Sequence, residues 1–213
     1  MSSSRAIAAM LQEFQSYQPY DTLEADHQRK LIQLIQTNLD PLDADCFEPG
    51  HGTGSVWIFD PVKRQVAMVF HKKMKRWLQP GGHADFDEPN LKVAALREAK
   101  EEVGLQLNFE QAIVFDIDVH VIPASRYPEH WHFDVRYLCL CEVQPLTPES
   151  EDTPAQWFDV NELASWLLDP DSIECFKKRS AGVQNALLRS LGLKLFPLET
   201  LRERGYTNET LEI

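Results

Sequence analysis

The chain has 213 residues, with 21 basic against 33 acidic side chains and a formal net charge of −12. That balance speaks against a duplex nucleic-acid surface, which needs clustered Lys and Arg to displace counterions from phosphates. With 43% hydrophobic and 25% charged residues, the composition is that of a globular protein able to bury its own core without disulfide or metal staples.

Residues 4–40 read as helices, because Leu31, Ile32, Leu34 and Ile35 recur at helical spacing, while Pro19 and Asp21 divide two stretches. The leading MSSSRAIAAMLQEF is too polar for a signal peptide, and no apolar run approaches the roughly 18 residues of a membrane span. A cytoplasmic protein with no membrane partner is expected. After Pro49-Gly50-His51-Gly52-Thr53-Gly54, which reads as a turn, SVWIFD and QVAMVFH flank a Pro-Val-Lys-Arg turn as a β-hairpin.

A short WLQ run leads into Pro80-Gly81-Gly82. A helix is predicted to open at Asp87-Glu88-Pro89, with Asp87 or Glu88 as cap and Pro89 in the first helical position. It continues to Val103 and ends on Gly104. Two strands follow, FDIDVHVIP and WHFDVRYLCLCEV, then a loop at 145–154, a strand QWFDV, and the helix candidates ELASWLL and IECFKKRSAGVQNALLRSL. This order predicts an α/β (α+β) fold with a mixed sheet. It divides into an N-terminal helical extension over 1–48, a central domain over 49–192 and a polar tail over 193–213. Cys46, Cys139, Cys141 and Cys175 show no C-x-x-C spacing and are expected to be reduced thiols.

The helix from 87 to 103 carries the chemistry. Glu98, Glu101 and Glu102 stand at i, i+3 and i+4, so their carboxylates share about 100° of one helix face. Like charges at that spacing repel, which Arg97, four residues from Glu101, offsets in part and a divalent cation would offset far more. Such a run on its own is most often a solvated helix face. Here Leu91, Ala94 and Ala95 occupy the upstream part of that face, and Val93, Leu96, Ala99 and Val103 the opposite side. A helix apolar on two sides is sandwiched, which puts the glutamates at the rim of a cleft.

Strand alternation adds a second polar group. In FDIDVHVIP, Asp116, Asp118 and His120 share a face, and in HFDVRYLCLC, His132, Asp134 and Arg136 do. Both faces could line one groove, with Arg136 on a phosphate and a histidine or aspartate as auxiliary acid or base. The competing reading is two solvated faces with structural histidines. His83 directly follows the Gly-Gly turn, and His130 belongs to the same histidine-rich stretch. His51 reads as a turn residue before a residue near the substrate, Trp57, Trp77 and Trp157 as core before base-stacking platforms, and Lys72-Lys73-Met74-Lys75-Arg76 as a solvated hairpin end before a phosphate clamp.

Residues 80–105, PGGHADFDEPNLKVAALREAKEEVGL, resemble the Nudix box, G-x5-E-x7-R-E-U-x-E-E-x-G-U, with U a bulky aliphatic. Gly82, Glu88, Arg97, Glu98, Glu101, Glu102, Gly104 and Leu105 occur in that order. Two departures stand out: eight residues rather than seven separate Glu88 from Arg97, and Ala99 takes the aliphatic place. The H-x-I-P and H-x-H-F-D patterns and the G-G-H-A-D in the box are similar to a bacterial Nudix subgroup.

The resemblance implies an α/β/α sandwich and a phosphoanhydride hydrolase acting on a nucleoside diphosphate linked to another moiety. It further implies Mg²⁺, with Mn²⁺ as a substitute, ligated by Glu98, Glu101 and Glu102 and by a carbonyl of the Gly81/Gly82 turn. One glutamate would double as the base, and Arg97 would orient a glutamate. His120, His132, Asp134 and Arg136 are the expected substrate-binding residues, and Glu149, Glu151 and Asp152 are candidates for an auxiliary carboxylate. A small phosphorylated molecule is the expected partner, and the N-terminal helices could cover its pocket or form a homodimer contact. Two rival functions are a non-catalytic nucleotide sensor and an isoprenyl diphosphate isomerase. The first should lose box carboxylates and the second should place a cysteine near the box, and neither is seen.

Overall fold

A computed structural model of the chain describes residues 2–72, 76–150 and 152–160. Two helices open it, α1 (Ser2–Ser16) and α2 (Thr22–Thr37). The Asp21 carboxylate caps α2 by accepting from Glu24 N at 2.9 Å. Strands β1 (Gly50–Asp60), β2 (Gln65–His71), β3 (Arg76–Leu78) and β4 (Gly81–His83) precede α3 (Leu91–Val103). Then come β5 (Ile113–Ile122), β6 (His130–Leu140) and β7 (Ala155–Asp159). The helix candidates after QWFDV lie outside the described residues, as does Cys175.

The seven strands form one mixed sheet in the order β3-β2-β1-β6-β5, with β4 added to β1 and β7 to β2. β1 is its axis. On one side it runs parallel to β6 from Gly50↔Trp131 to Phe59↔Leu140. On the other side it forks, meeting β4 at Thr53–Ser55 and β2 only at Phe59 and Asp60. The predicted hairpin is therefore real but short, and the gap between its arms admits the Gly-Gly turn. Asp60 closes the β1–β2 turn by accepting from Val62 N and Lys63 N, both at 2.8 Å.

Residues 50–54 are strand rather than turn. The glycines there let a helix approach closely: a Cβ on Gly54 would stand 2.3 Å from the Leu91 carbonyl oxygen. α3 starts two residues later than the sequence suggested, with Asn90 as its cap accepting from Val93 N at 2.9 Å. Asp87 and Glu88 do not cap it, because Glu88 is held by Arg97 and by Asp85 N. Pro89 thus precedes the cap. Gly104 ends the helix in the left-handed region, at φ 75°.

One core joins α1, α2 and α3 to the sheet through Phe14, Leu31, Leu34, Val56, Ile58, Ala95, Ile117 and Val135. The N-terminal helices are part of that core. Glu24 on α2 is buried, and its carboxylate accepts from Tyr17 OH, Tyr20 N (2.6 Å) and Ile117 N (3.1 Å), fastening α2 to β5. A smaller cluster around Trp57, Phe59, Met68, Phe115 and Leu138 forms separately. Trp77 packs edge-on against Phe70 and Phe158, and Trp157 donates from Nε1 to the Gln144 carbonyl at 2.8 Å.

Candidate active site

The glutamates of α3 converge on the Gly-Gly turn of β4. Glu102 Oε2 accepts from Gly81 N at 3.0 Å. A Cβ on Gly82 would lie 2.5 Å from Glu98 Oε1, so glycine is what lets the Glu98 carboxylate lie against the turn. Burial raises the Glu98 carboxyl above its ordinary value and pushes Glu102 up to about 7, with neighbouring glutamates adding to both. Glu101 is the more exposed member. A cation beside these groups would relieve the cost of keeping them charged.

Arg97 is saturated by protein oxygens. Its Nε donates to Glu88 Oε1 at 3.0 Å, Nη1 to Glu101 Oε2 at 3.0 Å and Nη2 to the His83 carbonyl at 2.9 Å. Glu98 Oε1 is 3.1 Å from Nη1. Burial opposes its charge, but the Glu88 hydrogen bond and the charges of Glu98 and Glu88 outweigh that and lock the guanidinium in its protonated form. The extra residue between Glu88 and Arg97 is absorbed at Pro89-Asn90, and the pair still meets.

On β5 and β6, the two polar faces predicted from alternation are paired in register: Asp116↔Arg136, Asp118↔Asp134 and His120↔His132. A bulge between Val114 and Asp116 brings this register about. These side chains form an interior network rather than an open groove. Arg136 is 1% exposed and lies among three aspartates, ion-paired to Asp116, 3.6 Å from Asp118, and 3.0 Å from Asp134 at an angle too oblique for a hydrogen bond. Thr53 and Ser55 of β1 donate to Asp134 Oδ1 at 3.2 and 3.3 Å. Asp118 accepts from His120 Nδ1 at 2.7 Å and faces His27 of α2 at 3.4 Å. Burial would raise Asp118, but the His120 hydrogen bond and the Arg136 charge prevail and lower it, whereas burial prevails at Asp134 and raises it.

Next to the network lies a cluster of histidine rings. His51 stands within 5.1 Å, centroid to centroid, of His83, His130 and His132, and His120 is 5.8 Å from His132. The sequence ranks His51 as a turn residue first because a Gly-rich run reads as a turn; the signal for the strand is its alternation with Thr53 and Ser55 along one face. Cys46, Cys139 and Cys141 are free thiols.

A family model for the NUDIX domain matches residues 51–178. The chain belongs to the Nudix family. It is a Nudix pyrophosphohydrolase, from a family that acts on small phosphorylated substrates and generally uses divalent cations. Solved structures similar to it include a MutT Nudix hydrolase from Burkholderia pseudomallei, 21% identical, covering 52% of this chain and 83% of that one at a TM-score of 0.42. The Nudix domain of Shewanella oneidensis NrtR, solved with ADP ribose, is 17% identical and covers 72% and 86% at 0.47. A Nudix hydrolase from Clostridium perfringens is 22% identical and covers 67% and 97% at 0.43. These are likenesses of fold alone. Comparison with curated proteins yielded no match.

Beside the Nudix box, a cleft of about 740 Å³ opens between residues 39–45 and 84–89, rimmed by Asp40, Asp43, Asp45, Asp85 and Asp87. A smaller cavity of about 240 Å³, lined by Lys30, Trp131 and Phe133, touches none of the box glutamates. The loop after β6 returns to the box helix, where Glu149 N donates to the Glu101 carbonyl at 2.8 Å. Asp152 turns instead to Lys72 at 3.2 Å, and Glu151 and residues 73–75 are outside the described residues. Among the described residues, no helix is long and apolar enough to cross a membrane.

Proposed function

We propose that the chain hydrolyses a phosphoanhydride bond in a nucleoside diphosphate linked to another moiety, using Mg²⁺ held by Glu98, Glu101, Glu102 and the Gly82 carbonyl. The observation that carries this reading is the convergence of Glu98 and Glu102, two half-buried carboxylates with raised pKa, on a turn where only glycine leaves them room. Hard oxygen donors of this kind suit Mg²⁺, and Mn²⁺ can replace it.

When bound, the cation supplies charge neutralisation and Lewis acidity toward the diphosphate. The chain supplies the rest. Arg97 fixes the rotamers of Glu88, Glu98 and Glu101 and is a positioning residue. One of the three box glutamates takes the proton of the attacking water. His120, His132 and Asp134 shape the substrate side, and Arg136 acts there through the aspartates that surround it rather than by gripping a phosphate. The products are a nucleoside monophosphate and a phosphorylated remainder.

The test is phosphate release, with and without a coupling phosphatase, over nucleoside triphosphates, nucleotide sugars, ADP-ribose, NADH, dinucleoside polyphosphates and capped RNA. Turnover of one class that disappears with EDTA and with Glu98→Gln is expected. Ligand binding without turnover under any cation would turn the reading toward a sensor.

A further inference from the structure

We propose that His51, His83 and His132 form a binding site for a zinc-class divalent cation, separate from the carboxylate site on α3. One ligand nitrogen from each of the three lies within 4.8 Å of the other two. His51 carries the argument furthest. It is wholly buried, and its Nδ1 lies 2.9 Å from the Cys46 carbonyl, which can only accept. Nδ1 therefore holds the hydrogen, and Nε2 is left with a lone pair, buried and without a hydrogen-bond partner. An orphaned buried acceptor among other imidazoles is what a metal ligand looks like before its metal arrives, down to the carbonyl that fixes its tautomer.

The second ligand is oriented in the same way. His130 Nδ1 lies 2.7 Å from the Pro128 carbonyl, so its Nε2 accepts from His132 Nε2–H at 3.3 Å. That leaves Nδ1 of His132 with the free lone pair. His83 keeps an exposed flank, which gives a cation a way in. In a tetrahedral site with bonds near 2.0–2.1 Å, ligand nitrogens stand about 3.4 Å apart, a closure that the exposed His83 side chain can supply.

The site is distinct from that of the glutamates for a geometric reason. The Cβ direction at Gly82 points at Glu98. Successive residues of a strand point to opposite faces, so His83 presents its ring away from Glu98, toward His51 and His132. Donor chemistry separates them too: imidazole nitrogen suits Zn²⁺, Co²⁺ and Ni²⁺, whereas Mg²⁺ keeps to oxygen. Three protein ligands leave a fourth position for water or a substrate oxygen. The proposal does not depend on which phosphoanhydride is cleaved.

The full chain, stripped with chelator and returned to excess Mg²⁺, is titrated with Zn²⁺ by calorimetry and with Co²⁺ by visible absorption. One tight Zn²⁺ equivalent is expected despite the Mg²⁺, together with the intense ligand-field bands of four-coordinate Co²⁺. Because His51→Ala could fail to fold, His83→Ala at the surface is the deciding variant, with its fold checked by circular dichroism. It should weaken Zn²⁺ at least ~100-fold, while Glu98→Gln leaves Zn²⁺ affinity unchanged. Absence of Zn²⁺ binding under Mg²⁺, affinity unaltered by His83→Ala, or binding lost in Glu98→Gln would each overturn the proposal.

Discussion

Glu88 and Arg97 meet at 3.0 Å across the loop–helix junction that holds the extra residue of the box. The same guanidinium binds Glu101 and the His83 carbonyl, so one side chain sets the positions of carboxylates from two segments. Arg97→Lys should lower kcat by roughly 10- to 100-fold with KM little changed, because an ammonium cannot reproduce the planar fork. Steady-state kinetics decides this, and unchanged kcat would remove Arg97 from the positioning role.

Glu102 links activity to stability. Its folded pKa, about 7, lies above the ordinary value of 4.5, chiefly through burial. The stability this shift contributes is present below about pH 4.5 and is lost as pH rises through about 7. Metal-free protein should therefore show a falling Tm from about pH 5 to about pH 8, and Mg²⁺ should restore it. Glu102→Gln should flatten that slope and abolish turnover. A slope unchanged by the substitution would mean that another group causes it.

Affinity for Mg²⁺ should follow the same proton. While Glu102 is protonated it cannot ligate, so binding should strengthen by up to roughly tenfold per pH unit up to about pH 7 and level off above it. Calorimetric titration in two buffers of different ionisation enthalpy counts the proton released. Binding independent of pH would exclude Glu102 from the ligand set.

Of the described carboxylates in the loop before β7, Glu149 is the one tied to the box helix, its N–H donating to the Glu101 carbonyl. Glu149→Gln is expected to reduce kcat by about 10- to 100-fold, the range of a positioned acid or base, whereas Asp152→Asn should do nothing. Equal effects of the two would point to loop structure instead.

Glu24 satisfies three donors, two from the connection between α1 and α2 and one from β5. Glu24→Ala leaves Ile117 N buried without its acceptor, while Tyr17 OH keeps the Phe115 carbonyl at 2.8 Å, and should cost about 1–3 kcal/mol. Urea unfolding gives the value, and a loss below about 1 kcal/mol would show that water takes over the role.

Much of the site was legible because side-chain spacing alone encodes it. The period of 3.6 placed Glu98, Glu101 and Glu102 together, and the period of 2 placed Asp116, Asp118 and His120 opposite His132, Asp134 and Arg136. Spacing says which side chains share a face, but not how much water that face sees. Arg136 was therefore assigned a phosphate and found enclosed by aspartates. Capping failed for a related reason: Asp87, Glu88 and Asn90 all carry suitable oxygens, and the choice among them was made by Arg97, which claims Glu88 from about two turns into the helix. His51 ranks as a turn residue first because glycine reports backbone freedom, and a strand that must let a helix come close uses that freedom just as a turn does.

The parallel seam between β1 and β6 has a kinetic consequence. Thr53 and Asp134, bonded across it, are 81 positions apart in the chain. The loop between them must close before the histidine rings from β1, β4 and β6 can meet. A cation held by His51, His83 and His132 cannot act as a seed for such a chain, because its donors come from three separate strands. That ion should arrive last, as a latch on a nearly completed molecule, slowing its opening while leaving its rate of assembly almost untouched.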